Sequence, residues 1–544
     1  MKRFAAIVMT LCLLLQLGGC AFPAGPNPEE STQSALEAMK EQVRGHGTGF
    51  ADMEYVRPDP DAITQAVAEA LTTAENGTVE ETMEAVYQVY DLYDWFYTYL
   101  SLADIHYFAD LTDSYWQEES DYCAENSTQV DVALEDLYYG LAASPLLEEL
   151  EGDAYFGEGF FDAYQGENRW NEELTAMFER EANLQSRYYE LSEIAISYDY
   201  GTAAYYEACG DEMVELLVEL IRQRQEIAGY FGYTDYVQFA TDFYYYRDYT
   251  TEQAESYLKE IQAELVPLYA ELCASPTFYV NYYRATEADT YRYVRTMAER
   301  MGGTIEKAFQ RMDGAGLYDI AYSGNKYAAS FEVYLTGYGQ PFVFLNPEQS
   351  TYDHLSFAHE FGHFCNDYAS RGSAAGVDVM EVFSQAMEYL SLYYADGGKL
   401  LTQMKLWDSL RLFVEQGAFA SFEMAMYRLS GDDLSPEGLR ALYAETAERF
   451  GFAGFGYDDR EFIHITHFYT NPMYIMSYLV SNDTALQMYE MERAESGAGL
   501  ACYEGTLDTQ CVYFLEFVEE AGLESPFAPG RMARIRETLE SGLR

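Results

Sequence analysis

His359-Glu360-Phe361-Gly362-His363 stands in the middle of a run that reads as one helix, starting at Ser350 or Thr351 and ending near Gly372. A short way beyond it, Met380 to Tyr394 reads as a second helix. Residues four apart on a helix share a face, so both imidazoles reach one point while Glu360 stands beside them. Two neutral His nitrogens on a catalytic zinc call for one more protein ligand and an open position. On the second helix, Glu381 and Glu388 are seven apart and share a face, so one can ligate while the other orients a ligand His. With seven histidines in the chain, the pattern is expected by chance only about 0.015 times. Five of those seven fall between His354 and His467, as a site would require. The longer metzincin form needs Gly at 366 and His at 369, and the chain has Asn366 and Ala369.

Outward from this point the pattern stays helical. Asp211 to Ala228 carries Val214, Leu217, Leu220 and Ile221 at helical spacing, with Asp211 in the place of an N-cap. Thr250 and Gln253 form a capping-box start ahead of Tyr257, Ile261, Leu265, Leu268 and Leu272, a stripe in which Pro267 predicts a kink. Phe331 to Leu335 and Phe342 to Leu345, separated by Gly337-Tyr338-Gly339, are the clearest strands. The expected fold is therefore mostly α with a small β-sheet beside the zinc helix. A working division gives an N-terminal helical unit over 59–200 and a catalytic unit over 201–544.

Residues 1–20 read as an export signal: Lys2 and Arg3, an apolar run from Phe4 to Leu15, then Leu17-Gly18-Gly19-Cys20. The final four resemble a bacterial lipoprotein box, which implies cleavage before Cys20, lipidation of its thiol and attachment to a membrane by that anchor alone. Residues 21–58 follow as a tether and entry segment, Pro-rich at the start. A formal net charge of −59 excludes a nucleic-acid partner. None of the cysteines has the paired CxxC spacing of a thiolate zinc site. The composition leaves disulfide pairing and oligomeric state open.

Phe357 to His363, followed by Met380-Glu381-Val382-Phe383-Ser384-Gln385-Ala386-Met387-Glu388, resembles the thimet oligopeptidase and oligoendopeptidase F family of zinc peptidases. The linker between the two motifs is shorter here, and Phe383 replaces a frequent Pro. The resemblance implies one zinc per chain on His359, His363 and Glu381, with Glu388 as the alternative ligand, and Glu360 as general base. It extends through Ile227 to Tyr233, through Pro341 to Asn346, and through Ile465-Thr466-His467-Phe468-Tyr469 on to Tyr478. The second of these is similar to a strand whose edge holds the substrate backbone, which places that edge on Phe342 to Leu345. The third is similar to a segment facing the scissile bond. Attack on an amide puts negative charge on the carbonyl oxygen, and His467, Tyr478 and then Tyr474 are the candidate donors for it.

His464, three residues before His467, is expected to share its face and support it. His354 and His106 read as structural, Cys365 as a buried thiol and Asp367 as a surface or cap-region carboxylate. The family further implies a two-part body around a deep channel that admits short, unstructured peptides. The expected activity is hydrolysis of their internal bonds. A peptide-capturing lipoprotein without hydrolysis and an exopeptidase removing C-terminal dipeptides are the alternatives.

Overall fold

A computed structural model describes residues 48–153, 155–157, 159–166, 170–196, 202–452 and 458–544. The export signal, Cys20 and most of the proposed tether lie outside the described residues.

Three helices, Pro60–Asn76, Val79–Ala109 and Ser114–Ala142, pack on one another around a core of their own that includes Val86, Val89, Phe96, Val130 and Leu137. Thr78 starts the second of them with a full capping box to Glu81. Its far end leaves this core and joins the larger one, where Phe108 stacks on Tyr327 and meets Phe344 edge-on. That helix thereby belongs to both cores.

The larger core holds the sheet and the helices from Glu172–Ile196 onward. Thr250 and Gln253 cap Thr251–Ala274 as the sequence predicts, and that helix continues through Pro267 with its apolar stripe buried. Asp211 is not an N-cap. Gly210 is itself helical (φ −60°, ψ −47°), so Asp211–Tyr230 runs on without a break from the π-turn Tyr206–Gly210, and Asp211 instead accepts from Arg460 at 3.0 Å. No helix among the described residues is long and apolar enough to cross a membrane.

The sheet has the order β1 (Tyr318–Asp319), β3 (Gln340–Leu345), β2 (Ser330–Leu335). β1 runs parallel to β3, pairing Tyr318 with Val343, and β2 runs antiparallel, pairing Phe331 with Phe344 and Val333 with Phe342. This corrects the expected substrate edge: Phe342 to Leu345 lie in the central strand, and β1 and β2 are the outer ones, of which β2 is the longer. At the β2–β3 turn, a Cβ on Gly337 would stand 2.8 Å from the Trp95 ring, so only glycine lets the turn settle on the first unit.

The motif helix occupies Asp353–Ser370 and closes on Arg371 and Gly372, both with positive φ. It starts later than expected because Asp353 turns its carboxylate back onto the amides of Glu348 and Ser350, at 2.8 and 2.9 Å, which organises that stretch as a turn. The second helix, Val377–Tyr394, crosses it at Gly362. A Cβ there would lie 2.6 Å from both the Phe383 carbonyl oxygen and the Ser384 Cα. The glycine of the motif is thus what lets the two helices touch backbone to backbone. The helix Ile475–Ala494 packs along the other side of Val377–Tyr394, joined to it by Gln385 to Ser481 at 2.8 Å and Tyr389 to Asn482 at 3.0 Å.

Candidate metal centre and active site

His359 and His363, one turn apart, bring their Nε2 atoms to 3.5 and 3.9 Å from the same oxygen, Oε2 of Glu381. The three donors lie within 4.8 Å of one another, the only such metal-capable group among the described residues. Two imidazoles and one carboxylate are the donor chemistry of a catalytic zinc site. Charge points the same way. Burial alone would lower the His359 pKa, yet the Glu388 hydrogen bond and the Glu360 and Glu381 carboxylates raise it to about 9. His363 is held well below the usual histidine range by burial and by His359. The Glu360 and Glu381 carboxylates beside the two rings favour positive charge there, and the donor set fits a divalent cation.

Glu388 stands apart from the donor group. Its Oε1 accepts from His359 Nδ1 at 2.9 Å, on the side of the ring away from Glu381, and its Oε2 meets Lys405 Nζ at 2.9 Å. Glu381 has its own supports, since Ser384 donates to Oε2 at 3.0 Å and the Tyr474 hydroxyl to Oε1 at 2.9 Å. Glu360 is buried between its helix and β2, where burial raises its pKa to about 7 against the lowering effect of His359 and of a hydrogen bond with Ser330. A carboxyl poised near neutrality can take up a proton and release it.

His467, Tyr474 and Tyr478 form one aromatic cluster. Tyr478 Oη lies 3.3 Å from His467 Nε2, and the two tyrosine rings are 5.1 Å apart. Burial lowers the His467 pKa to about 4, so it is neutral at ordinary pH. The chain between His467 and Tyr474 is gripped by side chains. Arg224 donates to the carbonyls of Phe468 and Tyr469, Tyr245 to that of Pro472 at 2.8 Å, and Arg247 to that of Met473 at 3.0 Å. Glu423 accepts from the Met473 amide at 2.8 Å, and Met473 sits at φ +67°, a conformation maintained only where its surroundings impose it. Arg247 also holds Asp378, one turn ahead of Glu381, and so ties the carboxylate helix to the tyrosine segment.

His464 does not support His467. It belongs to a separate turn, Glu461–His464, and its two nitrogens meet the hydroxyls of Tyr205 and Tyr206 at 3.0 and 3.2 Å. His354 stacks on Tyr293 and bonds Thr290, and His106 stacks on Trp116, both in structural roles. Cys365 is buried, and Asp367 is a buried carboxyl that accepts from Ser373 at the helix end. Sequence reasoning missed Lys405, Arg224 and Arg247. Lys405 left a signal, a cation set among Leu401, Met404, Leu406 and Leu410.

Residues 50–170 match the family model described as the Peptidase M3 N-terminal domain. Comparison with curated proteins gives no match. Among solved structures, one described as an oligoendopeptidase F superposes with a TM-score of 0.77 at 21% identity, covering 91% of this chain and 98% of that one. PZ peptidase A with an inhibitor gives 0.77 at 18% identity, covering 91% and 99%. A Bacillus anthracis protein described as an oligoendopeptidase F gives 0.73 at 22%, covering 91% and 98%. At these identities the structural likeness establishes a shared fold, that of oligoendopeptidase F.

Proposed function

We propose that this protein is a zinc metallopeptidase that cleaves internal bonds of short, unstructured peptides. The observation that carries the reading is the convergence of His359, His363 and Glu381 on one point with Glu360 beside them. The matched peptidase family model supports it from an independent part of the chain. Zinc held by these three residues would supply a Lewis acid that acidifies water and polarises the amide carbonyl.

The chain's own groups supply the rest. Glu360 accepts a proton from the attacking water as its oxygen bonds to the carbonyl carbon, then delivers that proton to the amine as the C–N bond breaks. His467 and Tyr478 donate hydrogen bonds to the carbonyl oxygen as negative charge builds there. Tyr474, whose hydroxyl is engaged by Glu381, holds the ligand carboxylate in place. β2, the longer of the two outer strands, offers its edge to an extended peptide backbone, a pairing that takes unstructured chains and rejects folded ones. Anchoring outside the cytoplasmic membrane through lipidated Cys20 belongs to the same proposal and rests on the sequence of residues 1–20.

Metal analysis combined with a peptide-library digest tests this reading. Expected are one zinc per chain, hydrolysis that stops on chelation and returns with zinc, and products from internal cuts. Intact peptides at full zinc loading would overturn it, and a product set made only of C-terminal dipeptides would overturn the internal-cleavage part.

A further inference from the structure

Lys405 lies in the helix Gly398–Arg411 and is 1% exposed. Burying an ammonium is costly unless a well-placed partner offsets it. The partner is Glu388, whose Oε2 is 2.9 Å away, and the Tyr389 ring lies 4.5 Å from the same Nζ. The second Glu388 oxygen accepts from His359 Nδ1 at 2.9 Å. Ammonium, carboxylate and imidazole, from three different helices, thus stand in one line, with the buried Asp408 carboxyl close enough to feel both Lys405 and Glu388. The far end of the line is the Nε2 that faces Glu381.

The pairing has the form of a device for aiming a ring. An ionised carboxylate only accepts hydrogen bonds, so an Nδ1–H must point at Glu388, and in the neutral ring that a metal binds the lone pair is then on Nε2, pointing the other way. Glu388 alone would be free to turn about its terminal bonds. Lys405 removes that freedom by pinning the other oxygen. A lone buried Lys–Glu pair adds little stability over an apolar pair of similar volume, so retaining this charge for packing alone would bring small return.

We propose that Lys405 is a positioning residue of the metal centre, which anchors Glu388 so that the His359 ring is held in the orientation and tautomer that present Nε2 to the metal. The inference deepens the metal reading above and rests on it. Lys405 touches neither substrate nor metal and acts only through Glu388.

The experiment uses the full protein as wild type, Lys405→Met, Glu388→Gln and the double variant. Each is checked for folding by circular dichroism and thermal melting. The zinc dissociation constant is then measured by competition with a chelator of known affinity, and the visible spectrum of the cobalt-substituted forms is recorded. Lys405→Met is expected to weaken zinc binding roughly 10- to 100-fold, the usual range for lost outer support of a ligand His, and to alter the cobalt spectrum. The double variant should bind zinc no more weakly than Glu388→Gln alone. Wild-type zinc affinity in a folded Lys405→Met protein overturns the inference. So does a double variant weaker than Glu388→Gln by the full factor of the lysine change. If Lys405→Met fails to fold, Lys405→Gln, which keeps a polar side chain but not the charge, stands in its place in the same cycle with Glu388→Gln and is read by the same outcomes. A wild type that takes up no zinc overturns the metal reading itself, a result distinct from normal wild-type loading with an indifferent lysine.

Discussion

The Tyr474 hydroxyl donates to Oε1 of Glu381 at 2.9 Å, which leaves Oε2 as the oxygen facing both histidines. A carboxylate fixed through one oxygen presents the other with a defined direction. Tyr474 and Tyr478, one helical turn apart, therefore have different tasks although both are tyrosines beside His467.

That division predicts different losses. Tyr474→Phe should weaken zinc binding about 10-fold or more, because Glu381 loses an outer partner. Tyr478→Phe should leave zinc binding unchanged and lower kcat by about 10² to 10³, the usual scale for removing one donor to a developing oxyanion. Chelator competition and steady-state kinetics on one fluorogenic peptide measure both. Equal effects of the two changes on zinc affinity would remove the distinction.

Glu381 and Glu388 should separate in the same assay. Glu381→Ala removes a donor and should leave the protein without stoichiometric zinc after dialysis, whereas Glu388→Ala should retain zinc with affinity lowered roughly 10- to 100-fold. Zinc retained by Glu381→Ala and lost by Glu388→Ala would reverse the assignment.

Gly362 is the point at which the two metal-bearing helices meet. In Gly362→Ala the new methyl would stand 2.6 Å from Phe383 and Ser384 backbone atoms, so one helix must move. Overpacking of this kind costs about 1 to 3 kcal/mol or more. Because the displacement also carries Glu381 away from the histidines, lower thermal stability and weaker zinc binding should appear together. A variant that melts like the wild type would show that the contact relaxes freely.

Much of the site was legible because it is local. Four-residue spacing places His359 with His363, and seven-residue spacing places Glu381 with Glu388, with no tertiary contact needed. The strand order was not legible, although a trace of it was present. Phe342-Val343-Phe344-Leu345 is apolar throughout, the pattern of a strand covered on both faces, while Ser330, Glu332 and Tyr334 alternate with Phe331 and Val333, the pattern of a strand with a polar side. The resemblance of the first stretch to an edge strand outweighed that difference. Asp211 misled for another reason: an N-cap is defined by a non-helical residue, and the helical backbone of Gly210 is fixed by packing of the preceding turn. Lys405, Arg224 and Arg247 reach partners far away in sequence, which no local period records.

Cys20→Ser tests the anchor independently of the catalytic chemistry. Cys20 is the thiol at the proposed cleavage point, so the change should abolish incorporation of a fatty-acid probe and leave the protein unprocessed or in the soluble fraction. Membrane fractionation of cells expressing each form reports it. Unchanged acylation of the variant would remove lipid anchoring from the account.

Glu360 bears on the central claim, because its place beside His359 gives it the position of a base and not of a ligand. Glu360→Gln keeps the size and shape of the side chain while removing its ability to accept a proton. His359, His363 and Glu381 remain, so zinc should bind as in the wild type. Turnover should fall by ~10² to 10⁴, the range for lost general acid–base assistance. Peptide affinity should persist, since Gln can still accept the Ser330 hydrogen bond at the start of β2 and the aromatic cluster is untouched. This combination separates a chemical loss from unfolding, in which zinc and peptide binding would disappear together. It also separates hydrolysis from mere peptide capture, for which Glu and Gln at 360 would serve equally. Zinc content, affinity for a quenched-fluorescent peptide and its hydrolysis are measured on both proteins at the same pH. Equal hydrolysis by wild type and Glu360→Gln at equal zinc content would sink the mechanism.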